Sequence, residues 1–513
     1  MSDNPQAAVF AFLADPATHG GAKVRQIDTH GAAVFLAGDR VLKVKRAVRF
    51  PFLDYSTLEK RKAACEAEIE VNKPFAPKIY HGVAVITDEG GHLAIGGKGK
   101  PVEYAVDMLR FDEDSTLDHL AAAGRIDAAL ADALGRAVAA AHAKAPVADA
   151  PAWIDALGLY IEQNDEAFAK WPDLFEGDKI TGLTKASRAA HKRLIQLLTE
   201  RGHQGLIRRG HGDLHLGNIA LIDGKPMLFD AIEFDPLIAS GDVFYDLAFL
   251  LMDLIERDLP GPANIVLNRY LAETRRDGDL DALAALPLFL SVRAAIRSKV
   301  TAAKLDQGHD DQKAEITRSA KAYFDWACRL IAPAAPTLVA VGGLSGTGKS
   351  VLARGIAPAI APPPGAVVLR SDVQRKVMFG KAETEKLPPE AYTREAGDRV
   401  YAALAEKARR VLKAGHSAVV DAVFAREAER AGLREVARSL GVPLQGLFLT
   451  ADLATRVARI GKRVGDASDA DATVAQQQES YDLGSLDWTD VDASGTPEQT
   501  LANATQVLKG STT

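Results

Sequence analysis

Cysteine is almost absent from this chain. Among 513 residues only Cys65 and Cys328 occur, far apart and outside any CxxC spacing. Such a pair supports neither a disulfide framework nor a structural zinc site. The first fifteen residues also lack the basic and then apolar pattern of a signal peptide. We therefore expect a protein of the reducing cytoplasm.

Long apolar runs and charge of one sign are missing as well. The most apolar stretch, residues 244–255, contains Asp246 and Asp253, so we do not expect it to cross a membrane. The net charge is only −6, and aromatic residues make up 6% of the chain. Without a basic stripe interleaved with aromatics, the sequence argues against nucleic acid and membrane partners. It indicates no particular oligomeric state.

Apolar residues are plentiful, at 47%, and 513 residues exceed the size at which one core keeps growing. Pro333 and Pro336 end a helical pattern, and residues 337–341 read as a buried strand that runs into glycines. We predict two domains with a boundary at these prolines. The first is an α+β bilobal domain over residues 1–332, with a small lobe of about 1–107 and a helical lobe of about 108–332; the second is an α/β domain with a parallel sheet over 337–513.

A phosphate-binding pattern opens the second domain. Residues 343–350 read GLSGTGKS, which satisfies GxxxxGK[ST] directly after the predicted strand and before a helical stretch. Glycines there let successive N–H groups converge on phosphate oxygens at a helix N-terminus. We expect Lys349 to reach the β- and γ-phosphates of ATP and Ser350 to bind Mg²⁺. The remaining candidate contacts to ATP are Gly343, Ser345, Gly346, Thr347 and Gly348.

Two carboxylates follow predicted strands of this domain, where the ends of parallel strands line a ligand crevice. Asp421 ends a strand that resembles a Walker B strand, which implies a Mg²⁺ ligand. Ala422 follows where motor ATPases carry glutamate, and this favours transfer to an acceptor over hydrolysis. Asp372 with Arg375 resembles the Asp-x-x-Arg element of zeta-toxin-like, gluconate-kinase-like and polynucleotide-kinase-like P-loop kinases. The resemblance implies that Asp372 accepts the proton of the acceptor hydroxyl, and the alternative is that it caps a helix.

Three arginines predict a lid. Arg456, Arg459 and Arg463 follow an apolar stretch at three- and four-residue spacing, so they share one helical face. The polar loop 465–471 comes next. Lid arginines neutralise charge on a transferred phosphoryl group, and Arg459 and Arg463 are therefore candidate ATP contacts. A solvated basic face is the alternative.

A second catalytic pattern lies in the first domain. Residues 211–218 contain HGDxxxxN, and Leu228-Phe229-Asp230 follows. These motifs resemble the catalytic loop of aminoglycoside and choline phosphotransferases. The resemblance implies that Asp213 accepts the acceptor's proton while Asn218 and Asp230 hold Mg²⁺.

The resemblance extends to segments on either side of this loop. Residues 41–44 are similar to the strand that supplies a phosphate-binding lysine, here Lys43, and the next predicted helix offers Glu66 or Glu68 as its partner, of which we favour Glu68. Asp242 and Asp246 lie in a segment that resembles the family's brace for the catalytic loop. The first domain lacks the glycine-rich phosphate loop of kinases, which leaves open the alternative that this domain is a pseudokinase.

Taken as a whole, the chain resembles bacterial fusions of an aminoglycoside phosphotransferase family domain with a zeta-toxin-like or gluconate-kinase-like P-loop domain. This implies an ATP- and Mg²⁺-dependent phosphotransferase with two nucleotide sites that act on hydroxyl groups of small molecules. One alternative keeps a single active kinase and makes the other domain an ATP sensor. A second alternative is a nucleic-acid 5′-hydroxyl kinase.

Overall fold

The computed structural model describes residues 5–50, 53–306, 310–463 and 465–510. Contacts group the chain into two compact units. Unit 1 comprises Met1–Glu166 and His191–Asp253, and unit 2 comprises Ala167–Ala190 and Leu254–Thr513. The units follow contacts, so the sequence boundary at residues 332–337 stays a prediction. No helix among the described residues is long and apolar enough to cross a membrane.

Unit 1 contains a six-stranded antiparallel sheet and three short strand pairs. The sheet has the order β1-β2-β3-β8-β6-β7, β4 pairs with β5, β10 pairs with β11, and β9 pairs with β12. The strands are β1 (Val24–Asp28), β2 (Ala32–Ala37), β3 (Arg40–Lys45), β4 (Arg49–Phe50), β5 (Leu53–Asp54), β6 (Tyr80–Asp88), β7 (Leu93–Ile95), β8 (Lys100–Leu109), β9 (Ile207–Arg209), β10 (Ile219–Ile222), β11 (Lys225–Leu228) and β12 (Ser240–Asp242).

Among the described residues, seven α-helices lie wholly or partly in unit 1. They are α1 (Ala7–Ala14), α2 (Leu58–Asn72), α3 (Leu117–Ala122), α4 (Ala128–Lys144), α5 (Ala150–Ala169), α6 (Gly177–His203) and α7 (Val243–Glu256). Thr57 caps α2 by accepting a hydrogen bond from the Lys60 N–H, which fixes where this helix begins. The predicted kinase-like arrangement of a strand-rich part followed by helices is confirmed.

The two faces of the six-stranded sheet bury different cores. Leu42 and Val44 of β3 pack in a cluster with α1, whereas Val41 packs in a second cluster with Cys65 of α2. Because side chains alternate along a strand, Lys43 shares the α2 face with Val41. The period of β3 therefore directs its lysine toward the carboxylates of α2.

Unit 2 contains a five-stranded, fully parallel sheet, as predicted. Its order is β14-β15-β13-β16-β17. Every residue of the central strand is buried, which is typical of a parallel strand covered on both faces. The strands are β13 (Leu338–Gly343), β14 (Val367–Arg370), β15 (Ala418–Asp421), β16 (Leu444–Thr450) and β17 (Thr489–Asp492).

Helices make up the rest of unit 2. Leu352 and Ile356 of α12 and Ala504 of α18 pack in the core under the sheet. The helices are α8 (Pro260–Thr274), α9 (Asp277–Ala282), α10 (Leu286–Ala303), α11 (Asp310–Leu330), α12 (Lys349–Ile356), α13 (Ser371–Met378), α14 (Arg394–Lys413), α15 (Glu427–Leu440), α16 (Leu453–Gly461), α17 (Ala472–Gln477) and α18 (Pro497–Gly510).

Candidate active sites

The first site gathers charged residues that are far apart in the sequence of unit 1. Lys43 Nζ lies 2.9 Å from Glu68 Oε1 and 2.8 Å from Asp230 Oδ1. Glu66, the alternative partner, is exposed and lies 3.7 Å from Lys62 on its own helix. The structure thus places Glu68 against the lysine, on the buried face of α2.

These contacts fix the charge state of the group. Burial alone would lower the pKa of Lys43, but Asp230 and Glu68 raise it well above its ordinary value. In return, Lys43 lowers the pKa of Asp230 to about 2. The lysine is therefore a cation and the aspartate an anion at neutral pH, as phosphate and metal binding require.

Asp213 lies in the loop between β9 and β10. Asn218 Nδ2 donates to its backbone oxygen at 2.9 Å and to its Oδ2 at 3.1 Å. The Asp213 side chain is 40% exposed, and His215 Nε2 lies 3.4 Å from the same Oδ2. Because Gly217 N–H donates to His215 Nδ1 at 3.1 Å, Nδ1 is an acceptor and Nε2 is the ring nitrogen that lies near Asp213. The carboxylate is thus oriented from two sides and open to an acceptor.

The predicted brace lies directly behind this loop. Asp246 accepts hydrogen bonds from the N–H groups of His211, at 2.8 Å, and Gly212, at 3.0 Å. Gly212 has a φ of +79°, and a Cβ there would lie 2.9 Å from the Cα of Ala239, so only glycine fits. His211 Nε2 bonds the Phe229 carbonyl at 2.8 Å, which joins the catalytic loop to the segment that carries Asp230.

Lys45 is a part of this site that the sequence analysis missed. Its Nζ lies 2.5 Å from both Glu68 Oε2 and Glu233 Oε1. Tyr55 donates to the same Glu233 oxygen at 3.0 Å. The available signal was the two-residue spacing from Lys43, which places both lysines on one face of β3. Glu68 is therefore held by two cations.

Two further residues that the sequence analysis missed fix the backbone beside Asp230. Asn72 forms a pair of hydrogen bonds with Ala231, accepting from its N–H at 2.7 Å and donating to its carbonyl at 3.2 Å. Tyr80 Oη accepts from the Asp230 N–H at 3.0 Å. These contacts support a φ of +60° at Asp230, a left-handed conformation that is uncommon outside glycine. No local pattern marks Asn72 or Tyr80 for this role.

The second site is the loop between β13 and α12 in unit 2. Gly343, Gly346 and Gly348 all have positive φ angles. A Cβ at Gly346 would lie 2.6 Å from the Arg456 carbonyl, whereas around Gly348 no described heavy atom lies within 4 Å of a built Cβ. Position 346 therefore requires glycine for packing, whereas position 348 leaves open space beside the helix N-terminus.

Protein groups contact this loop at several of the predicted positions. Lys349 Nζ donates to the Leu344 carbonyl at 2.9 Å, and burial lowers the pKa of this lysine. Ser345 N–H donates to Gln478 Oε1 at 2.6 Å, a contact that no sequence pattern indicated. Thr347 donates its hydroxyl to the same Leu344 carbonyl at 2.8 Å. The loop is thus stabilised by its own chain as well as shaped for phosphate.

The predicted metal ligands of unit 2 lie together. Ser350 Oγ is 2.5 Å from Asp421 Oδ2, at the end of β15. Arg370, which the sequence analysis missed, lies beside both, with its Nη2 3.2 Å from Ser350 Oγ and its Nε 3.4 Å from Asp421 Oδ2. The sequence feature that could have indicated Arg370 is its position at the end of β14, two residues before Asp372.

Asp372 and Arg375 face an open cleft of about 1160 Å³ that also exposes Lys349 and Asp421. The N-cap position of α13 is taken by Arg370, and no side-chain cap hydrogen bond forms there. Asp372 therefore lies in the first turn without capping the helix. Arg375 Nη1 donates to the Ala391 carbonyl at 2.5 Å, and its guanidinium lies 5.3 Å from the centroid of the Tyr392 ring.

The three arginines of the predicted lid have different surroundings. Arg456 is buried, donating to the Ser345 carbonyl at 2.9 Å and contacting Glu479, so it supports the loop from beneath. Arg459 donates to the Thr347 carbonyl at 3.4 Å and lines the cleft. Arg463 also lines the cleft, and its buried Nη1 has no hydrogen-bond partner among the described residues. The three arginines thus do not share one role: Arg456 supports the loop, whereas Arg459 and Arg463 are cations that line the cleft.

The donor atoms of both sites fit Mg²⁺. Asn218 and Asp230 in unit 1, and Ser350 and Asp421 in unit 2, offer the hard oxygen ligands that Mg²⁺ prefers. Within the described ranges no group of three or more His, Cys, Asp or Glu could hold a metal alone. In phosphoryl-transfer sites Mg²⁺ is usually bound by one or two carboxylates together with substrate phosphates.

Two family models match the chain. The phosphotransferase enzyme family matches residues 37–286, and an AAA domain matches residues 338–483. The uncharacterized protein Rv2004c of Mycobacterium tuberculosis is 29% identical over 495 residues, covering 94% of this chain and 95% of its own length. The uncharacterized protein Mb2027c of Mycobacterium bovis matches with the same figures.

Solved kinase structures are also similar to parts of the chain. A sugar kinase from Janibacter sp. HTCC2649 has a TM-score of 0.27 and 24% identity and covers 34% of this chain and 95% of its own. A choline/ethanolamine kinase family protein from Mesorhizobium loti has a TM-score of 0.35 and 13% identity and covers 64% of this chain and 99% of its own. The two matches make the chain an ATP-dependent kinase in which a segment similar to the phosphotransferase enzyme family is followed by a segment similar to an AAA domain.

Proposed function

We propose that this protein transfers the γ-phosphate of ATP to hydroxyl groups of small molecules at two sites, one in each unit. The observation that carries this is the assembly of a complete set of groups within each unit: a lysine, two oxygen ligands and an accessible aspartate. Two free cysteines and no membrane-spanning helix among the described residues accord with a cytoplasmic enzyme.

In unit 1 the acceptor would meet Asp213. Its carboxylate is exposed and oriented by Asn218 and His215, so it is placed to accept the proton of an attacking hydroxyl. Asn218 and Asp230 would hold the metal ion, which neutralises charge on the phosphates when bound. Lys43 remains cationic because of its carboxylate partners and would bind the phosphate oxygens.

In unit 2 the corresponding proton acceptor would be Asp372. It faces the cleft that Lys349 and Asp421 also line. Arg459 and Arg463 line the same cleft and would offset negative charge that grows on the transferred group. Because Ala422, not a carboxylate, follows Asp421, no side chain at that position polarises water, and transfer to an acceptor is favoured over hydrolysis.

One observation favours the alternative in which unit 2 senses ATP. Lys349 is bonded to the Leu344 carbonyl and Ser345 N–H to Gln478, so two phosphate-binding groups have partners within the protein. ATP binding would exchange those contacts for phosphate, and such an exchange would signal that ATP is bound. The same exchange is also compatible with phosphate transfer in unit 2, so the ATP-sensing alternative ranks second.

The test is transfer of labelled γ-phosphate into a bacterial metabolite extract. Wild type is compared with Asp213→Asn, Lys349→Met and the double variant, with Glu66→Gln as a control for an unrelated surface carboxylate. Two sets of products, each lost in one single variant, would support two kinases. Products lost only with Asp213→Asn would make unit 2 the sensor, and no labelled product from wild type would contradict the proposal.

A further inference from the structure

Helix α8 packs against the open edge of the parallel sheet in unit 2. Asn268 Oδ1 accepts from the Val368 N–H of edge strand β14 at 2.7 Å, and its Nδ2 donates to the Ala366 carbonyl at 3.2 Å. Asn264 Nδ2 donates to the same carbonyl at 3.0 Å. Two side-chain amides thus satisfy backbone groups that a sixth strand would otherwise pair. The position of β14 depends on this helix.

A chain of ion pairs leads from the same helix toward the P-loop. Arg269 Nη1 of α8 lies 2.9 Å from Glu383 Oε2, and the other oxygen of Glu383 lies 3.6 Å from Arg370 Nη1. Arg370 is the last residue of β14 and is 9% exposed. Its Nη2 lies 2.9 Å from Asp466 Oδ1. Glu383 and Asp466 therefore compete with Asp421 for one buried guanidinium.

This competition bears on cation binding. Arg370 lies within 3.4 Å of both Ser350 Oγ and Asp421 Oδ2, the two oxygens that fit Mg²⁺. A guanidinium centred on those oxygens would block and repel a divalent cation. Glu383 and Asp466, whose side chains are 30% and 27% exposed, offer the same guanidinium other carboxylate partners.

We propose that α8 sets the cation affinity of the P-loop site, with Arg269 and Glu383 as positioning residues that give Arg370 a partner other than Ser350 and Asp421 when a cation binds there. The proposal rests on the nucleotide site proposed for unit 2 and adds a determinant outside it. Helix α8 lies within residues 37–286, the range that the phosphotransferase model matches. A helix from that range would therefore set the cation affinity of the P-loop site.

The test is Mn²⁺ binding followed by electron paramagnetic resonance, with and without a non-hydrolysable ATP analogue. Full-length protein carrying Asp230→Asn serves as the parent, so that the signal from unit 1 is weakened. We expect Glu383→Gln to raise the Kd for Mn²⁺ about tenfold, the scale of one charge-assisted hydrogen bond. Arg269→Met should raise it by about threefold, because Glu383 then loses its anchor, and Arg269→Lys should restore most of the affinity.

Arg410→Met is the matched control. Arg410 of α14 donates to Asp281 at 3.1 Å and 3.0 Å, so its loss removes an ion pair in unit 2 without touching the Arg370 network. Thermal unfolding of every variant separates a loss of stability from a loss of affinity. Unchanged Mn²⁺ affinity in Glu383→Gln and Arg269→Met, or no Mn²⁺ binding by the parent, would overturn the inference. Absence of phosphate transfer by wild type would contradict the proposed function alone.

Discussion

The two lysines expected at ATP phosphates have opposite surroundings. Lys43 contacts two carboxylates, which raise its pKa, whereas Lys349 contacts a backbone carbonyl, and burial lowers its pKa. Lys43 is held by residues from two distant segments, and Lys349 belongs to one contiguous loop. The comparison teaches that the same task is met either by long-range ion pairs or by local backbone geometry, with different consequences for stability and pH response.

The largest expected effect separates the two sites by their proton acceptors. Asp213→Asn should lower phosphate transfer in unit 1 about a thousandfold, since the amide cannot accept the acceptor's proton. Asp372→Asn should do the same only in unit 2. Initial rates with each identified acceptor measure this. Asp223→Asn, an exposed position at a hairpin turn, is the control and should leave both rates unchanged.

Stability should distinguish the two lysines next. Lys43→Met leaves Asp230 without its partner and Glu68 with Lys45 alone, so unit 1 should lose about 2 kcal/mol of its free energy of unfolding. The value lies below the full cost of breaking a buried pair because Asp230 is half exposed. Lys349→Met should change unit 2 by no more than about 0.5 kcal/mol. Hydrogen exchange read by mass spectrometry reports the two units separately, and equal losses would contradict the comparison.

A smaller effect concerns the carboxylate of α2. Glu68→Gln should lower transfer in unit 1 about tenfold, because Lys43 and Lys45 then share no anion and the lysine is less well placed. Glu66→Gln, two residues away and exposed, is the matched control. Rates for unit 2 should not change in either variant. A loss with Glu66→Gln would instead return the role to that residue.

A further effect is a pH dependence of the stability of unit 2. His416 is buried, donates to the Gly365 carbonyl at 2.9 Å, and burial lowers its pKa to about 4. The unfolded chain binds this proton first, so stability falls by about 2 kcal/mol between pH 7 and pH 5. His416→Gln should remove that dependence, and the exposed His92→Gln should not. Thermal unfolding at pH 7 and pH 5 measures it.

The sequence predicted most successfully where function is local. The parallel sheet, the loop at residues 343–350 and the motif around Asp213 each depend on adjacent residues, and the structure has the sheet and places both loops at strand ends. Lys45 could in principle have been predicted, because residues two apart on a strand lie on the same face, and Lys45 is two residues from Lys43. Its buried pairing with Glu233 depends on a residue 188 positions away.

Other parts of the sites were beyond local patterns. Gln478 reaches the loop from 133 residues away, and Asn72 reaches Ala231 across 159 residues. Both are side-chain amides on helices or turns, where such residues are ordinarily solvated. Their roles follow from tertiary packing, which local sequence patterns do not show.

The amide pairing of Asn268 with β14 has a consequence for inheritance. The prolines at residues 333–336 mark the predicted domain boundary, at which recombination would exchange one kinase domain for another. Yet the helix that completes the edge of the parallel sheet begins at Pro260, before that joint. A crossover at the prolines would give the incoming sheet a foreign edge helix, so lineages that keep this fold should retain α8 and β14 as a matched set.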